Sequence, residues 1–140
     1  MDAQGHGIIS PPSAPKMPSG MCSQAKREWK RIVPLLLDLG TVTQVDGPAL
    51  HMYCEAYATY IEVTKLIRLE GLTYVADGGD ATSKMKRPHP ALTIQNESER
   101  KMRSFMECFG MSAGSRSRIK VDRPATPPTL LRSLWKANEL

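Results

Sequence analysis

Cysteine is scarce in this sequence, and its three copies, Cys22, Cys54 and Cys108, stand far apart. No CxxC pair and no Cys/His ligand spacing occurs, which argues against a zinc site. The odd number also argues against the disulfide framework of a small secreted protein. We therefore expect an intracellular protein with no metal site and no cofactor.

Long apolar runs and catalytic motifs are also missing. No run approaches the roughly 20 apolar residues that a membrane-spanning helix needs, and Met1 to Met21 lacks the apolar core of a signal peptide. The Gly78-Gly79 pair is not followed by the Lys-Ser/Thr of a phosphate loop. His51 and Cys54 could share a helix face, but no third group stands near them. These absences predict a soluble protein that is not an enzyme and has no membrane partner.

Basic residues are present in moderate excess and are unevenly placed. The chain has 140 residues, with 19 Lys+Arg against 14 Asp+Glu, a net charge of +5. Residues 112–140 hold six basic and two acidic residues, net +4, whereas residues 43–71 hold two basic and four acidic residues, net −2. Basic ends around an acidic middle favour an anionic partner such as nucleic acid.

The stretch Thr43 to Gly71 predicts one long helix. Its apolar residues alternate at steps of four and three, which lays a seam along one side. The seam comprises Ala49, Tyr53, Ala56, Tyr60, Val63 and Ile67. Thr43 and Asp46 resemble a capping box, and Gly71 is a suitable stop. At about 1.5 Å per residue the helix is roughly 40 Å long, so we expect partner surfaces along it.

A shorter helix from Gln24 to Leu39, capped by Ser23, precedes the long one and contains Pro34, where we expect a kink. Because only Gly40 to Val42 separates the two helices, they should form an antiparallel hairpin. Four cations cluster near the start of the first helix: Lys26, Arg27, Lys30 and Arg31. The cluster is either a solvated face or a phosphate-contacting face.

The remaining chain predicts smaller elements. Residues 72–92 fit a small β-hairpin or extended flap made basic by Lys84, Lys86 and Arg87, and His89 between two prolines is a structural anchor. Asn96 with Glu99 predicts the start of a third helix that ends at Gly110. Ser112 then starts a short helix, and the second basic cluster follows: Arg116, Arg118, Lys120 and Arg123. Its higher local charge favours this cluster as the DNA contact.

Proline-rich segments flank these elements. Residues 1–22 predict a flexible arm and residues 122–140 a proline-rich linker with a tail, around a helical domain at 23–121. Leu131, Leu134 and Trp135 give the tail apolar anchors at helical spacing. The tail either packs back on its own assembly or docks on another protein.

Several pieces taken in order resemble the small terminase subunit of tailed double-stranded DNA bacteriophages over about residues 23–121. They are Ala25–Pro34, Leu39-Gly40 followed by Val45-Asp46, Ala49-Leu50, Tyr53–Tyr57, His89–Ala91, and Phe109–Ser112 followed by Ser115–Arg118. The resemblance implies a ring-forming subunit in the host cytoplasm that recognises the packaging start on phage DNA. It also implies a large subunit as partner, which carries the ATPase and the nuclease.

Candidate surfaces for assembly follow from the long helix and the third helix. They are Tyr53, Tyr57, Tyr60, Ile67, Phe105 and Phe109, although tyrosines at helical spacing are more often core residues. Two other functions stay open. A helix-turn-helix transcriptional regulator would use Arg116 to Lys120 for recognition, and a helical adaptor would use its charges only for solvation.

Overall fold

The computed structural model describes residues 13–77 and 84–119, which are mainly α-helical. In chain order the elements are α1 (Ser23–Leu39), a 3-10 turn (Gln44–Asp46), α2 (Gly47–Glu70), β1 (Thr73–Asp77), β2 (Lys84–Pro88), α3 (Ala91–Cys108) and α4 (Ala113–Arg118). The predicted architecture of a helical hairpin, a small β-hairpin and further helices is confirmed.

Helix α1 begins one residue earlier than predicted, and its cap is Cys22 rather than Ser23. The Cys22 Sγ atom accepts a hydrogen bond from the Ala25 backbone N–H at 3.5 Å. Helical geometry continues through Pro34, whose ring lies on the exposed face. At the other end Gly40 has φ +70°, and the N–H groups of Gly40 and Thr41 bond to the Leu37 and Leu36 carbonyls. This left-handed stop closes α1 as the sequence predicts.

Helix α2 has 24 residues, about 36 Å at 1.5 Å per residue. The Thr43–Asp46 pair forms, with Asp46 Oδ2 accepting from the Thr43 backbone N–H at 2.7 Å and from its hydroxyl at 3.1 Å. That pair opens the 3-10 turn, and α2 proper starts after it at Gly47 with Pro48 in the first turn. The predicted helix therefore exists, with its first residues in a tighter turn.

The core forms where α1 packs on the first half of α2. Buried side chains from both helices, from the segment before α1, from the link after α1 and from Phe109 make one cluster: Met21, Ala25, Trp29, Ile32, Val33, Leu36, Val42, Leu50, Tyr53, Cys54, Ala58 and Phe109. Helix α2 contacts both α1 and α3. It therefore buries Leu50 and Cys54 in addition to seam residues, whereas Tyr60 and Val63 are only half-buried.

The segment before α1 contributes to this core. Residues 1–12 of the predicted arm lie outside the described residues. In the described part, Pro15 and Met21 are buried and Met17 packs against the core. Within residues 13–21 the predicted arm therefore contacts the core of the helical domain. Short apolar side chains between prolines can still cover a helix pair without forming an element of their own.

Helix α3 starts five residues before the predicted Asn96. Pro90 stands immediately before its first residue, Ala91, whereas Asn96 and Glu99 lie exposed within the helix. The Ala91 backbone N–H donates to His89 Nδ1 at 3.1 Å, so the histidine side chain satisfies one of the unpaired donors of the first turn. Gly110, with φ +68°, ends the helix as predicted, and Ser112 caps α4.

Candidate nucleic-acid interface

The first basic cluster divides into a buried ion pair and an exposed face. Glu28 is 3% exposed, and its carboxylate accepts two bonds from Arg31, from Nε at 2.8 Å and from Nη2 at 2.6 Å. The Tyr53 hydroxyl donates to Glu28 Oε1 at 3.1 Å. The hydrogen bond to Glu28 raises the pKa of the Arg31 guanidinium. Arg31 thus neutralises a buried carboxylate, and its role is first of all structural.

Arg27 and Lys30 are exposed on α1, and Lys26 is half-buried beside them. Arg27 and Lys30 form no ion pair with any residue that the structure describes. Cations on a helix face that stay unpaired keep their full charge for an external anion. The part of this cluster open to phosphate is therefore Arg27 with Lys30.

The second basic cluster is described only at Arg116 and Arg118, since Lys120 and Arg123 lie outside the described residues. Arg116 Nη1 donates to the backbone carbonyls of Gly110 at 3.3 Å and Met111 at 3.2 Å. It therefore secures the turn between α3 and α4, and Arg118 makes a longer 3.4 Å bond to the Gly114 carbonyl. Both side chains are exposed, but Arg116 is partly committed to its own backbone.

The two clusters lie toward opposite ends of α1. A Cβ atom added at Gly110 would lie 3.5 Å from Thr41 Cγ2, which places the α3–α4 turn beside the link that follows α1. Lys30 is ten residues from Gly40, about 15 Å along a helix axis. The clusters are thus separate patches, which the sequence alone does not establish.

The candidate assembly residues also divide by burial. Tyr53, Ile67 and Phe109 are 4%, 7% and 4% exposed within the protomer, so their side chains are already covered. Tyr57, Tyr60 and Phe105 are half-buried. Phe105 lines an open groove of about 470 Å³ between α2 and α3, beside Met52, Ala56 and Ile94. Of the half-buried candidates, Phe105 therefore lies in this α2–α3 groove, and Tyr57 and Tyr60 lie elsewhere on α2.

The β-hairpin carries cations that the predicted site did not include. Lys84, Lys86 and Arg87 all lie on β2, and every β2 side chain is exposed. Strand β1 pairs with it antiparallel, with Tyr74 opposite Arg87 and Val75 opposite Lys86. The basic character of this segment was visible in the sequence, but only the structure shows that no core covers it.

His89 fixes the base of this hairpin, as its place between two prolines predicts. Its Nε2 atom lies 2.7 Å from Glu70 Oε2, and its backbone N–H donates to the Leu72 carbonyl at 2.9 Å. Because Nδ1 accepts from Ala91, the proton on Nε2 points to Glu70. His89 therefore joins the end of α2, the hairpin and the start of α3.

The thiol nearest to His51 is unsuited to nucleophilic chemistry. Burial, and then the negative charge of Glu28, raises the pKa of Cys54 to about 12, so the thiol stays protonated and weakly reactive. The Nε2 atom of His51 lies 3.6 Å from Oε1 of Glu55. In residues 13–77 and 84–119, no group of three or more His, Cys, Asp or Glu side chains is placed to hold a metal ion.

Among the residues described, no helix is both long and apolar enough to cross a bilayer.

The fold and surface define a mainly α-helical protein built on a helical hairpin, with exposed cationic patches and a projecting β-hairpin. Comparison with protein families matches residues 25–125 to the family described as "Phage terminase, small subunit", and the chain belongs to that family. Neither the curated proteins nor the solved structures give a significant match. The family acts in phage DNA packaging in the host cell, and it is generally non-catalytic, since the ATPase lies in the large subunit.

Proposed function

We propose that this protein is the DNA-recognition subunit of a phage terminase. In this role it forms a homo-oligomeric ring, binds the packaging start on double-stranded phage DNA, and regulates the large ATPase and nuclease subunit. The observation that carries the proposal, beside family membership, is the exposed pair Arg27 and Lys30 on α1. These cations face away from the core and have no anionic partner among the described residues.

Two basic clusters, one on α1 and one at the C-terminal end of the folded part, are candidates for the DNA contact. Local charge alone favours the C-terminal cluster, but Arg116 donates two hydrogen bonds to backbone carbonyls. Arg31 is likewise held by Glu28. The unpaired cations Arg27 and Lys30 are therefore the stronger candidates, and Lys26, Arg118, Lys120 and Arg123 remain secondary candidates.

The salt dependence of DNA binding tests whether Arg27 and Lys30 contact DNA phosphates. Each phosphate contact contributes about −0.9 to the slope of log affinity against log salt concentration. Arg27→Ala with Lys30→Ala should therefore reduce the slope by about 1.8. The matched control is Lys65→Ala with Arg68→Ala, which removes the same charges from the exposed side of α2. An equal loss of slope in both variants would contradict a contact at α1.

The α2–α3 groove is the candidate surface for self-association. The α2–α3 groove exposes Met52 at 55% and Ile94 at 47%, with Phe105 half-buried between them. Contiguous exposed apolar side chains along two helices are typical of protein–protein interfaces. We assign this surface to a neighbouring copy of the chain, together with Tyr57 and Tyr60 on the same long helix. Gel filtration with light scattering should then give a mass above that of a tetramer.

The tail, residues 122–140, is the candidate contact with the large subunit, and its residues lie outside the described ranges. Leu131, Leu134 and Trp135 follow a proline-rich linker and have helical spacing. A segment so short does not hold a helix alone in water, so it needs a surface to fold on. We assign that surface to the large subunit, with Trp135 as the main anchor because aromatic anchors tend to dominate such interfaces.

Truncation after Pro128 tests the tail assignment. The truncated protein should keep its oligomeric mass and its DNA binding and lose the ability to stimulate the large subunit's ATPase. Loss of the oligomeric mass would show instead that the tail packs on its own ring.

The competing helix-turn-helix interpretation uses α3, the turn at Gly110 and α4. Helix α4 has only six residues, and Ser115 on it is buried while Arg116 bonds back to the turn. A regulator of that kind would bind a short palindrome as a dimer, whereas an adaptor would show no salt-dependent DNA binding. The number of copies on one duplex separates all three functions.

A further inference from the structure

The β-hairpin carries exposed cations that the proposed DNA contact at α1 does not use. We propose that β2 binds the phosphate backbone of a DNA duplex through Lys84, Lys86 and Arg87, in addition to the contact at α1. This inference rests on the proposed DNA-binding function, but it concerns a different element and different residues. No part of the predicted site includes them.

The cations of the hairpin are concentrated on one strand. Strand β2 carries three within four residues, and β1 carries none. All three are exposed, and Lys86 and Arg87 form no ion pair with a described residue, whereas Lys84 lies opposite Asp77 in the strand register. Other arginines differ in this respect, because Arg31 and Arg103 pair with glutamates. Like charges this close repel one another, and an external polyanion removes that repulsion.

The faces of the hairpin match the walls of a DNA groove. Side chains alternate along a strand, so Lys84 and Lys86 lie on one face and Arg87 on the other. A two-stranded ribbon enters the major groove, which is about 12 Å wide and has a phosphate backbone on each side. Cations on both faces of β2 can then reach both backbones at once.

The base of the hairpin is held firmly enough to direct it. His89 bonds to Glu70 at the end of α2, to Leu72 at the start of the hairpin and to Ala91 at the start of α3. The Tyr74 and His89 rings also meet edge-on, with centroids 6.4 Å apart. Three contacts around one residue give the hairpin a set direction relative to α2 and α3, so its cations act from a defined position.

The apolar side chains of the hairpin give the rival occupant. Leu72, Val75 and Met85 are 64%, 54% and 56% exposed, and a two-stranded hairpin is at best marginally stable alone. Such residues would also suit contact with a second copy of the chain. The charge distribution favours DNA, because burying unpaired lysines in a protein interface is costly.

The test compares two variants that each remove one lysine and one arginine. One is Lys86→Ala with Arg87→Ala on β2, and the control is Lys65→Ala with Arg68→Ala on α2. Binding to a mixed-sequence DNA duplex is measured across a salt series, with light scattering of the same samples. We expect the β2 variant to lose about 1.8 from the log–log salt slope, with the oligomeric mass and the control slope unchanged.

Three outcomes would overturn the inference. An unchanged slope in the β2 variant, while the Arg27/Lys30 variant loses slope, removes the hairpin contact and leaves the proposed function in place. A lower oligomeric mass in the β2 variant assigns the hairpin to contacts between copies. A wild-type protein without salt-dependent DNA binding removes the hairpin contact together with the proposed function.

Discussion

At the scale of single residues, the most consequential contact is that of Glu28 with Arg31 and Tyr53. The Glu28 side chain is 2% exposed and the Arg31 side chain is 56% exposed. The ion pair therefore connects a buried carboxylate with a guanidinium at the surface. A buried carboxylate without its partner is strongly destabilising. Arg31 therefore stabilises the fold, although it belongs to a cluster of mostly exposed cations.

Arg31→Ala should lower the free energy of unfolding by about 2–3 kcal/mol, because Glu28 keeps only the Tyr53 hydroxyl as donor. Lys30→Ala is the matched control, since it removes a neighbouring charge with no described partner and should change stability by less than about 0.5 kcal/mol. Urea denaturation measures both. Equal effects of the two variants would show that Glu28 is satisfied without Arg31.

The buried thiol of Cys54 makes stability depend on pH. Its pKa is raised from 9.0 to about 12 by burial and by Glu28, so the folded state disfavours the thiolate. A raised folded-state pKa contributes stability that is present below the unfolded value and is lost as pH rises. Burial also raises the pKa of Tyr53, which acts in the same direction.

The free energy of unfolding should therefore fall above about pH 9, by about 1.4 kcal/mol per pH unit for Cys54 alone. Cys54→Ala should reduce this loss by that amount, whereas Cys108→Ala, at an exposed thiol, should behave as wild type. Denaturation series at several pH values compare the three proteins. A pH dependence that Cys54→Ala leaves unchanged would rule out this thiol as its source.

The spacing of residues in the sequence predicts poorly which charged side chains pair with one another. Four cations within six residues indicate a basic face, yet the same stretch contains Glu28, three residues before Arg31. That separation is one at which helical side chains meet, so the pair was available as a signal. Its burial was not, because it depends on Tyr53, which lies 25 residues away in the chain.

At the scale of elements, helix ends decide how the parts meet. Gly110 has φ +68°, and a Cβ atom there would come 2.9 Å from Ile119 Cδ1. The left-handed backbone disfavours a side chain at this position, and an added Cβ atom would also require the end of the Ile119 side chain to shift. The turn it makes lets Phe109 enter the core while α4 returns toward the link after α1.

Gly110→Ala should destabilise the protein by at least about 1–2 kcal/mol. Gly114→Ala is the matched control, because that glycine lies within α4 and a Cβ atom there would meet nothing within 4 Å. Removing a helical glycine should raise stability by up to about 1 kcal/mol. Thermal unfolding of both variants measures the opposite signs, and equal destabilisation by both would contradict a special backbone requirement at Gly110.

Existence and order of the elements follow from the sequence, whereas some boundaries do not. Apolar spacing and the stops at Gly40 and Gly110 predict the helices correctly. The start of α3 was placed at Asn96 because Asn96 and Glu99 have capping-box spacing, but the helix begins after Pro90. The His89 side chain satisfies the first turn there, and no local pattern for helix starts includes that contact.

At the scale of the whole molecule, the protomer leaves apolar surface open on its α2–α3 side. Ile94 is 47% exposed and lines the groove between these helices. A cation at this position would remain solvated in the free protomer but would be buried unpaired in an assembly. The proposed assembly should therefore be sensitive to a change that the single chain tolerates.

Ile94→Lys should weaken self-association by at least about tenfold, or about 1.4 kcal/mol, with little change in the far-ultraviolet circular dichroism spectrum. Val45→Lys is the control, since Val45 is 84% exposed and is not among the groove residues. Light scattering over a dilution series measures both variants. Unchanged association of the Ile94→Lys protein would remove the groove from the interface.

The arrangement of surfaces could not be derived from the sequence. Composition shows that both ends of the folded part are basic, but not that Arg116 bonds to the turn or that β2 stands uncovered. These facts depend on how the hairpin and α4 meet the long helix. The family, by contrast, was visible in ordered short motifs, because their spacing reflects the same helix ends that the structure contains.

If the proposed function is correct, several copies of this protein act together on one DNA duplex. Light scattering coupled to gel filtration of the protein mixed with a duplex gives the mass of the complex, and hence the copies bound per duplex. We expect one discrete complex with more than four copies of the chain, which dissociates as salt concentration rises. Two copies per duplex, or protein that elutes apart from the DNA at low salt, would contradict it.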